Sequence, residues 1–238
     1  MKFSIIIPCF NERANIDNLI ERIRPLQSGY NLEYILIENG SSDDSKLYFK
    51  NNIEGKFNNI KIVYVEKNRG YGYGLQQGLK VATGDYIGWI HADLQMAPEE
   101  ILPIFDWLLR QPAGKEFFIK GRRTNRRLLD NIFTFLQSIV NSIMFRTYMY
   151  DIGAIPVLMH SSLINKDKID EMPNDFSIEL FVYKEAILKN YEIKRFLVTL
   201  QKRDAGVSSW NRGIKSKFKQ SLRIFSDSIK ILKGEKVL

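Results

Sequence analysis

Three side chains near residue 90 have the chemistry of a cation site. His91, Asp93 and Gln95 alternate along the chain, so they point the same way wherever the backbone is extended. An imidazole, a carboxylate and an amide oxygen at one strand end can hold a divalent cation against a diphosphate. The run just before them, residues 86–90, is short and apolar, as in a strand buried mid-sheet. Open α/β sheets bind ligands at such carboxyl ends. Taken alone, the same spacing also fits an ordinary strand exit with a polar turn.

A sheet has to carry that strand end, and the first half of the chain alternates accordingly. Residues 3–7 read as a β-branched strand ended by Pro8. Residues 15–24 have helical spacing in Ile16, Leu19, Ile20 and Ile23, and residues 34–37 read as a second strand. The turn Asn39-Gly40-Ser41-Ser42-Asp43 is rich in capping residues, with Ser41 and Asp43 read as caps of a helix over 44–51. A strand over 60–65 leads into a glycine-rich turn and a helix over 75–82. After the strand over 86–90, Pro98 opens a helix to about residue 110. A further strand is predicted over 117–120. Alternation of this kind predicts an α/β fold, a mostly parallel sheet flanked by helices.

Beyond residue 127 the pattern changes. Over 128–149, Leu129, Ile132, Phe133, Leu136, Ile139, Val140 and Ile143 share one helical face, while Asp130, Asn131, Thr134, Gln137, Ser138 and Asn141 share the other. A helix so strongly amphipathic either packs its apolar stripe on the sheet or lies in a membrane interface. The basic stretch 211–238 repeats the theme, with Phe218, Leu222, Phe225, Ile229 and Leu232 at helical spacing. That pattern suits a membrane surface, a cap on the core or a partner.

Composition narrows the class. A chain of 238 residues with 45% hydrophobic content can bury a full core. One cysteine, Cys9, permits no internal disulfide, suits a reducing compartment, and reads as a small buried apolar side chain. The apolar run before Pro8 is too short for a signal peptide, and no stretch reaches the roughly 18–20 apolar residues of a spanning helix. These features predict a protein on the cytoplasmic side of the membrane. The net charge is +8. It concentrates in the stretch from Arg212 onward, with a second basic cluster at Lys120, Arg122, Arg123, Arg126 and Arg127. Such clusters point to nucleic acid, anionic membrane or phosphorylated substrate. Nucleic acid is disfavoured, since the interleaved aromatics of single-strand binding surfaces are missing.

Three segments in order, "SIIIPCFNE", "ILIENGSSDDS" and "GYGYGLQQGLKVATGDYIGWIHADLQMAPEE", resemble the family 2 glycosyltransferases of GT-A fold, nearest the dolichol- or polyprenyl-phosphate sugar synthases. The resemblance extends over residues 3–210, which would form the transferase domain, with 128–149 as an interface helix within it and 211–238 as a basic amphipathic tail. It implies a donor site for a nucleotide sugar. Pro8, Asn11, Glu12 and Glu38 lie at strand ends, where they can reach base or ribose. Arg69, Gly70 and Gly72, with Gly74, would let the backbone approach the ligand, although a plain flexible turn explains the same glycines. No Gly-Lys-Ser/Thr follows, so this is not a P-loop. Glu38-Asn39 departs from the family's more frequent Asp-Asp.

The segment 91–95 matches the family's Asp-x-Asp motif with its downstream Gln, but His91 stands for the first Asp. The resemblance implies Mg²⁺ or Mn²⁺ at Asp93, Gln95 and His91, with Ala92 between them lining the donor site. His91 could ligate Mn²⁺ or hydrogen-bond a phosphate. Gly121-Arg122-Arg123 matches the family's Gly-x-Arg, whose arginine meets phosphate; Arg123 is the expected catalytic cation. Asp151-Ile152-Gly153-Ala154 resembles an aspartate-containing turn without its usual arginine. Glu179 matches the acceptor-side glutamate, where it could orient or deprotonate an acceptor hydroxyl or organise Arg203. Arg203 and Ser208 resemble a loop closing over the diphosphate.

The implied reaction is inverting transfer of a sugar from a nucleoside diphosphate to a polyprenyl phosphate, peripheral on the inner face of the membrane. Two alternatives stand beside it: a transferase adding sugar to a glycan acceptor, and a sugar-nucleotide-binding membrane protein impaired in catalysis by His91.

Overall fold

The β-branched runs become strands of one seven-stranded sheet. The computed structural model describes residues 1–112, 114–125, 128–201 and 226–232. The strands are β1 (Lys2–Cys9), β2 (Asn31–Glu38), β3 (Ile60–Tyr64), β4 (Tyr86–Trp89), β5 (Phe117–Thr124), β6 (Val157–His160) and β7 (Glu192–Thr199). Their order is β3-β2-β1-β4-β6-β5-β7. The helices are α1 (Arg13–Ile23), α2 (Ser45–Tyr48), α3 (Tyr71–Val81), α4 (Leu102–Leu109), α5 (Leu128–Met144) and α6 (Ile178–Leu188). Ile5, Ile6, Ile35, Leu36 and Trp89 of the sheet are buried with Leu19 of α1, Leu75 of α3, Phe105 of α4 and Val182 of α6.

This strand order delivers the candidate residues to one edge. β1, β2, β3 and β4 run parallel, so Cys9, Glu38, Tyr64 and Trp89 end on the same side. The chain builds outward from β1 to β3 and returns to β4 beside β1. That return is a topological switch point, where a crevice opens outside the carboxyl ends. β6 is antiparallel to both β4 and β5, which turns β5 parallel to β4 and brings Gly121–Thr124 to the same edge. β7 pairs parallel with β5.

Several expected boundaries move. β1 continues through Pro8 to Cys9. Of β1, only Phe3–Ile6 pair with β4, so the missing N–H of Pro8 lies beyond its reach. The glycine-rich segment is no turn: α3 starts at Tyr71 and takes in Gly72 and Gly74. Pro98 opens a 3-10 turn before α4. β6 and β7 went unpredicted, one being only four residues long and the other, Glu192–Thr199, being charged and half-exposed.

α5 departs most from expectation. It ends at Met144 instead of 149, and of the two settings its pattern allows it takes the one with the apolar stripe turned outward. Thr134, Ser138 and Asn141 are buried, while Ile132, Phe135, Leu136, Ile139, Val140 and Ile143 are exposed. The apolar stripe therefore does not pack on the sheet. Polar contacts hold the helix instead: Ser138 Oγ donates to Thr134 O (2.7 Å) and accepts from the Asp151 backbone (3.2 Å). Ser228 Oγ donates to Asn141 Oδ1 (2.8 Å), and Ser177 Oγ to Asp227 Oδ2 (2.7 Å), so helical residues 226–232 pack against α5 and the start of α6. The rest of the expected tail helix, including Phe218, Leu222 and Phe225, lies outside the described residues.

Glu33 fastens the parallel half. Its carboxylate accepts from Ser4 Oγ (2.6 Å), Thr83 Oγ1 (2.7 Å) and Thr83 N (2.8 Å), and pairs with Lys61 Nζ (2.8 Å). Burial works against ionisation, but the bonds from Lys61, Ser4 and Thr83 win and bring its pKa from 4.5 to about 2. Because the folded value is the lower one, this stabilisation is whole above about pH 4.5 and is lost as pH falls through about 2. Glu33→Gln should cost about 1–3 kcal/mol at neutral pH. Urea unfolding of the two proteins should show that gap narrowing as pH falls through the same window.

Candidate active site

The loops after β1 and β2 are laced together at the crevice. Asn11, in the left-handed region at φ 55°, accepts through Oδ1 from the Ser42 backbone (2.8 Å) and hydroxyl (3.2 Å). Asp43 accepts in return from the Arg13 and Ser45 backbone N–H groups (3.2 and 3.0 Å), the first residues of α1 and α2, whereas the N-cap of α2 is Asp44, without a side-chain cap bond. Ser41 acts differently: its N–H donates to Glu38 Oε1 (2.6 Å) and its hydroxyl accepts from Asn11 N (3.1 Å). Glu12 accepts from Asn15 Nδ2 (2.5 Å).

Glu38 is fully buried, and its Oε2 has no hydrogen-bond partner among the described residues; the same is true of Asn39 Oδ1. Asn39 Nδ2 donates to Gly70 O (3.1 Å). Orphaned buried acceptors are costly, and two of them stand together at the end of β2. Arg69 is exposed, 5.0 Å from the Tyr73 ring centroid.

The glycines make close approaches within the protein. Gly70 has φ +118°, and a Cβ there would lie 2.3 Å from Asn174 O; at Gly72 it would lie 2.2 Å from Pro173 O. Neither position has room for a side chain, and the start of α3 is pressed against the Pro173–Asp175 backbone.

The strand after β4 does not stay extended. Ala92 and Asp93 form a turn, and Leu94 is left-handed at φ 57°. The alternation of His91, Asp93 and Gln95 is therefore broken. Asp93, 5% exposed, accepts from the Gln95 N–H at 3.1 Å, and Gln95 O accepts from Gln201 N (2.8 Å). Ala92 is buried, and His91 and Gln95 are partly exposed.

Behind this turn lies a buried polar hub centred on Glu179, 4% exposed. Its Oε1 accepts from Trp89 Nε1 (2.7 Å) and the Tyr71 hydroxyl (3.1 Å), and its Oε2 from Lys120 Nζ (2.8 Å). Lys120 also donates to Ile152 O (2.5 Å). Lys120 is wholly buried and so does not belong to the basic surface cluster expected from the sequence. Burial pushes its ammonium below the ordinary lysine value, and the Glu179 carboxylate offsets part of that. Burial, and then Glu179, holds the Tyr71 hydroxyl well above its usual range. Tyr71 stacks on Phe176 with centroids 4.6 Å apart.

Arg123 is forked onto Asp151: Nε lies 3.0 and 3.1 Å from the two carboxylate oxygens, and Nη2 makes a second short contact. Asp151 is 2% exposed and left-handed at φ 46°. The backbone N–H of the same aspartate donates to Ser138 Oγ of α5, so the amphipathic helix is tied through Asp151 to this arginine. Arg126, Arg127, Arg203 and Ser208 lie outside the described residues, as do the side chains of Leu129, Asp130 and Phe133.

Sequence reasoning missed Tyr71, Trp89 and the partnership of Lys120 with Glu179. Contacts between residues 71 and 179 carry no local signal. The aromatic residues of the "GYGYG" run offered only a weak hint.

No three His, Cys, Asp or Glu side chains among the described residues are grouped to hold a metal. Asp93 is the one carboxylate among the three expected ligands, so a cation held there would need substrate phosphates to complete its shell.

The strand order reverses at β1, which lies between β2 and β4, and this α/β sheet with its flanking helices has the arrangement of the GT-A fold. Residues 4–163 match the family described as glycosyl transferase family 2, and the chain belongs to that family. It is 24% identical over 231 residues to a dodecaprenyl-phosphate galacturonate synthase of Rhizobium johnstonii, covering 95% of this chain and 66% of that protein. An undecaprenyl-phosphate 4-deoxy-4-formamido-L-arabinose transferase of Klebsiella pneumoniae is 34% identical over 102 residues, 42% of this chain and 31% of the relative. The chain thus spans just under two thirds of one relative and under a third of the other. Glucosyl-3-phosphoglycerate synthase from Mycobacterium tuberculosis, solved with Mn²⁺, UDP and glucosyl-3-phosphoglycerate, superposes with a TM-score of 0.72 over 98% of this chain and 80% of that chain. At 16% identity this is a likeness of fold.

Lys120→Met should leave Glu179 buried without its cation and cost about 3–5 kcal/mol. Adding Glu179→Gln should recover part of that loss. Denaturant unfolding of the single and double variants measures both.

Proposed function

We propose that the protein transfers a sugar, with inversion, from a nucleoside diphosphate donor to a polyprenyl phosphate at the cytoplasmic face of a membrane. The observation that carries this reading is α5: its polar face is bonded to the Asp151–Arg123 pair, and its apolar face is turned to solvent, with Ile143 72% exposed. An exposed apolar stripe of this kind suits the headgroup boundary of a bilayer. A lipid phosphate held there would arrive beside Arg122 and Arg123. The polyprenyl-phosphate enzymes among the relatives support the same acceptor. No helix among the described residues is long and apolar enough to cross a membrane, which fits attachment by surface helices.

The donor occupies the crevice between β1 and β4. Pro8, Asn11, Glu12 and Glu38, at the ends of β1 and β2, form its base and ribose side. The diphosphate lies near Ala92 and Asp93, with Arg69, Arg203 and Ser208 as further contacts. Asp93, His91 and Gln95 would hold Mg²⁺ or Mn²⁺, which when bound supplies positive charge against the leaving diphosphate. An acceptor phosphate oxygen attacks the anomeric carbon as the bond from that carbon to the diphosphate oxygen breaks. The acceptor is already anionic, so no proton need be removed. Glu179 then serves as the interior anchor that positions Tyr71, Trp89 and Lys120, and Arg123 steadies the incoming phosphate.

Labelled UDP- and GDP-sugars, supplied with Mn²⁺ or Mg²⁺ to vesicles containing polyprenyl phosphate, test the reading. Label should enter the organic phase as an acid-labile lipid. Transfer to glycan acceptors with no lipid product would overturn it, and donor binding without any transfer would favour an impaired enzyme. Independently, Ile139→Glu/Ile143→Glu should weaken vesicle flotation more than tenfold, since each buried isoleucine contributes roughly 2 kcal/mol, with the unfolding midpoint nearly unchanged.

A further inference from the structure

We propose that Tyr71 is a positioning residue that fixes His91 as its Nε2–H tautomer, leaving Nδ1 as the lone pair offered to the divalent cation. The argument counts hydrogens. The Tyr71 hydroxyl is 3.1 Å from Glu179 Oε1 and 3.2 Å from His91 Nε2. A phenol has one O–H, and a carboxylate only accepts. Glu179 is ion-paired with Lys120 and also receives Trp89 Nε1, so the tyrosine hydrogen is directed to it. The phenol oxygen then faces His91 with a lone pair. That contact is a hydrogen bond only when Nε2 carries the hydrogen.

A neutral imidazole protonated at Nε2 keeps its lone pair on Nδ1. Such a nitrogen accepts and cannot donate. It suits a cation and is repelled by phosphate oxygens, which separates the two roles open to His91 in the sequence. The ring is further confined, standing edge-on to Tyr71 at 88° with centroids 5.5 Å apart, while Tyr71 is stacked on Phe176. Metal-binding histidines commonly donate their other ring N–H to a fixed acceptor, and here the Tyr71 oxygen, held by Glu179, takes that place. The cation half of this inference rests on the transferase reading; the tautomer half does not.

The chain has two histidines, His91 and His160, so ring-nitrogen NMR of the full chain can resolve both, with His160→Gln assigning the signals. At about pH 8, His91 should appear as the Nε2–H tautomer. Tyr71→Phe keeps the stacking and removes the hydroxyl, and should turn that signal into a tautomer mixture. A His91 signal with hydrogen on Nδ1, or one unchanged in Tyr71→Phe, would overturn the assignment. Should the variant fail to fold, the wild-type tautomer alone decides. Mn²⁺ binding in the presence of UDP, followed by loss of the free-ion EPR signal, should weaken about tenfold in Tyr71→Phe. Equal Mn²⁺ affinity in the two proteins would sink the cation role, whether or not sugar transfer is found.

Discussion

Everything near the candidate site depends on one buried ion pair. Lys120 and Glu179 are removed from water together, and a pair in that position is tolerable only when its remaining hydrogen-bonding capacity is met. Trp89, Tyr71 and the Ile152 carbonyl meet it. Those partners come from β4, α3 and the loop before β6, while the ions come from β5 and α6. The pair therefore fixes the parallel half of the sheet relative to the half containing the antiparallel strand. The turn bearing Asp93 is supported from behind by the same network.

The edge of the sheet is organised by a second buried acid. Asp151 holds Arg123, and Ser138 reaches its backbone from α5. Because hydrogen bonds to this loop and to residues 226–232 lie on its inner side, the polar face of α5 has to turn inward. The apolar face is left to solvent by geometry. The orientation of the helix and the placement of the arginine are thus consequences of one arrangement.

The sequence disclosed the architecture of the first half because burial there is periodic and local. Ile16, Leu19, Ile20 and Ile23 line one face of α1 as their spacing requires, and the first four strands fall close to the apolar runs. It disclosed less where contacts are distant. Gly72 reads as a turn residue until the Pro173 carbonyl is seen to occupy the space of its side chain. Lys120 reads as a surface cation until Glu179 is placed opposite it. The alternation of His91, Asp93 and Gln95 assumed extended backbone, and the left-handed Leu94 breaks that assumption. The amphipathic pattern at 128–144 was plain, but which face meets the protein depends on buried polar partners that periodicity does not encode.

The exposed stripe on α5 has a consequence for the protein as a colloid. Contiguous apolar surface on a chain in water promotes self-association, and the net charge of +8 supplies the opposing repulsion. Salt screens that repulsion over roughly 10 Å at 0.1 M while leaving the apolar attraction in place. A dispersed state of this protein would therefore be an electrostatic balance, favoured by dilute buffer and weakened as ionic strength rises.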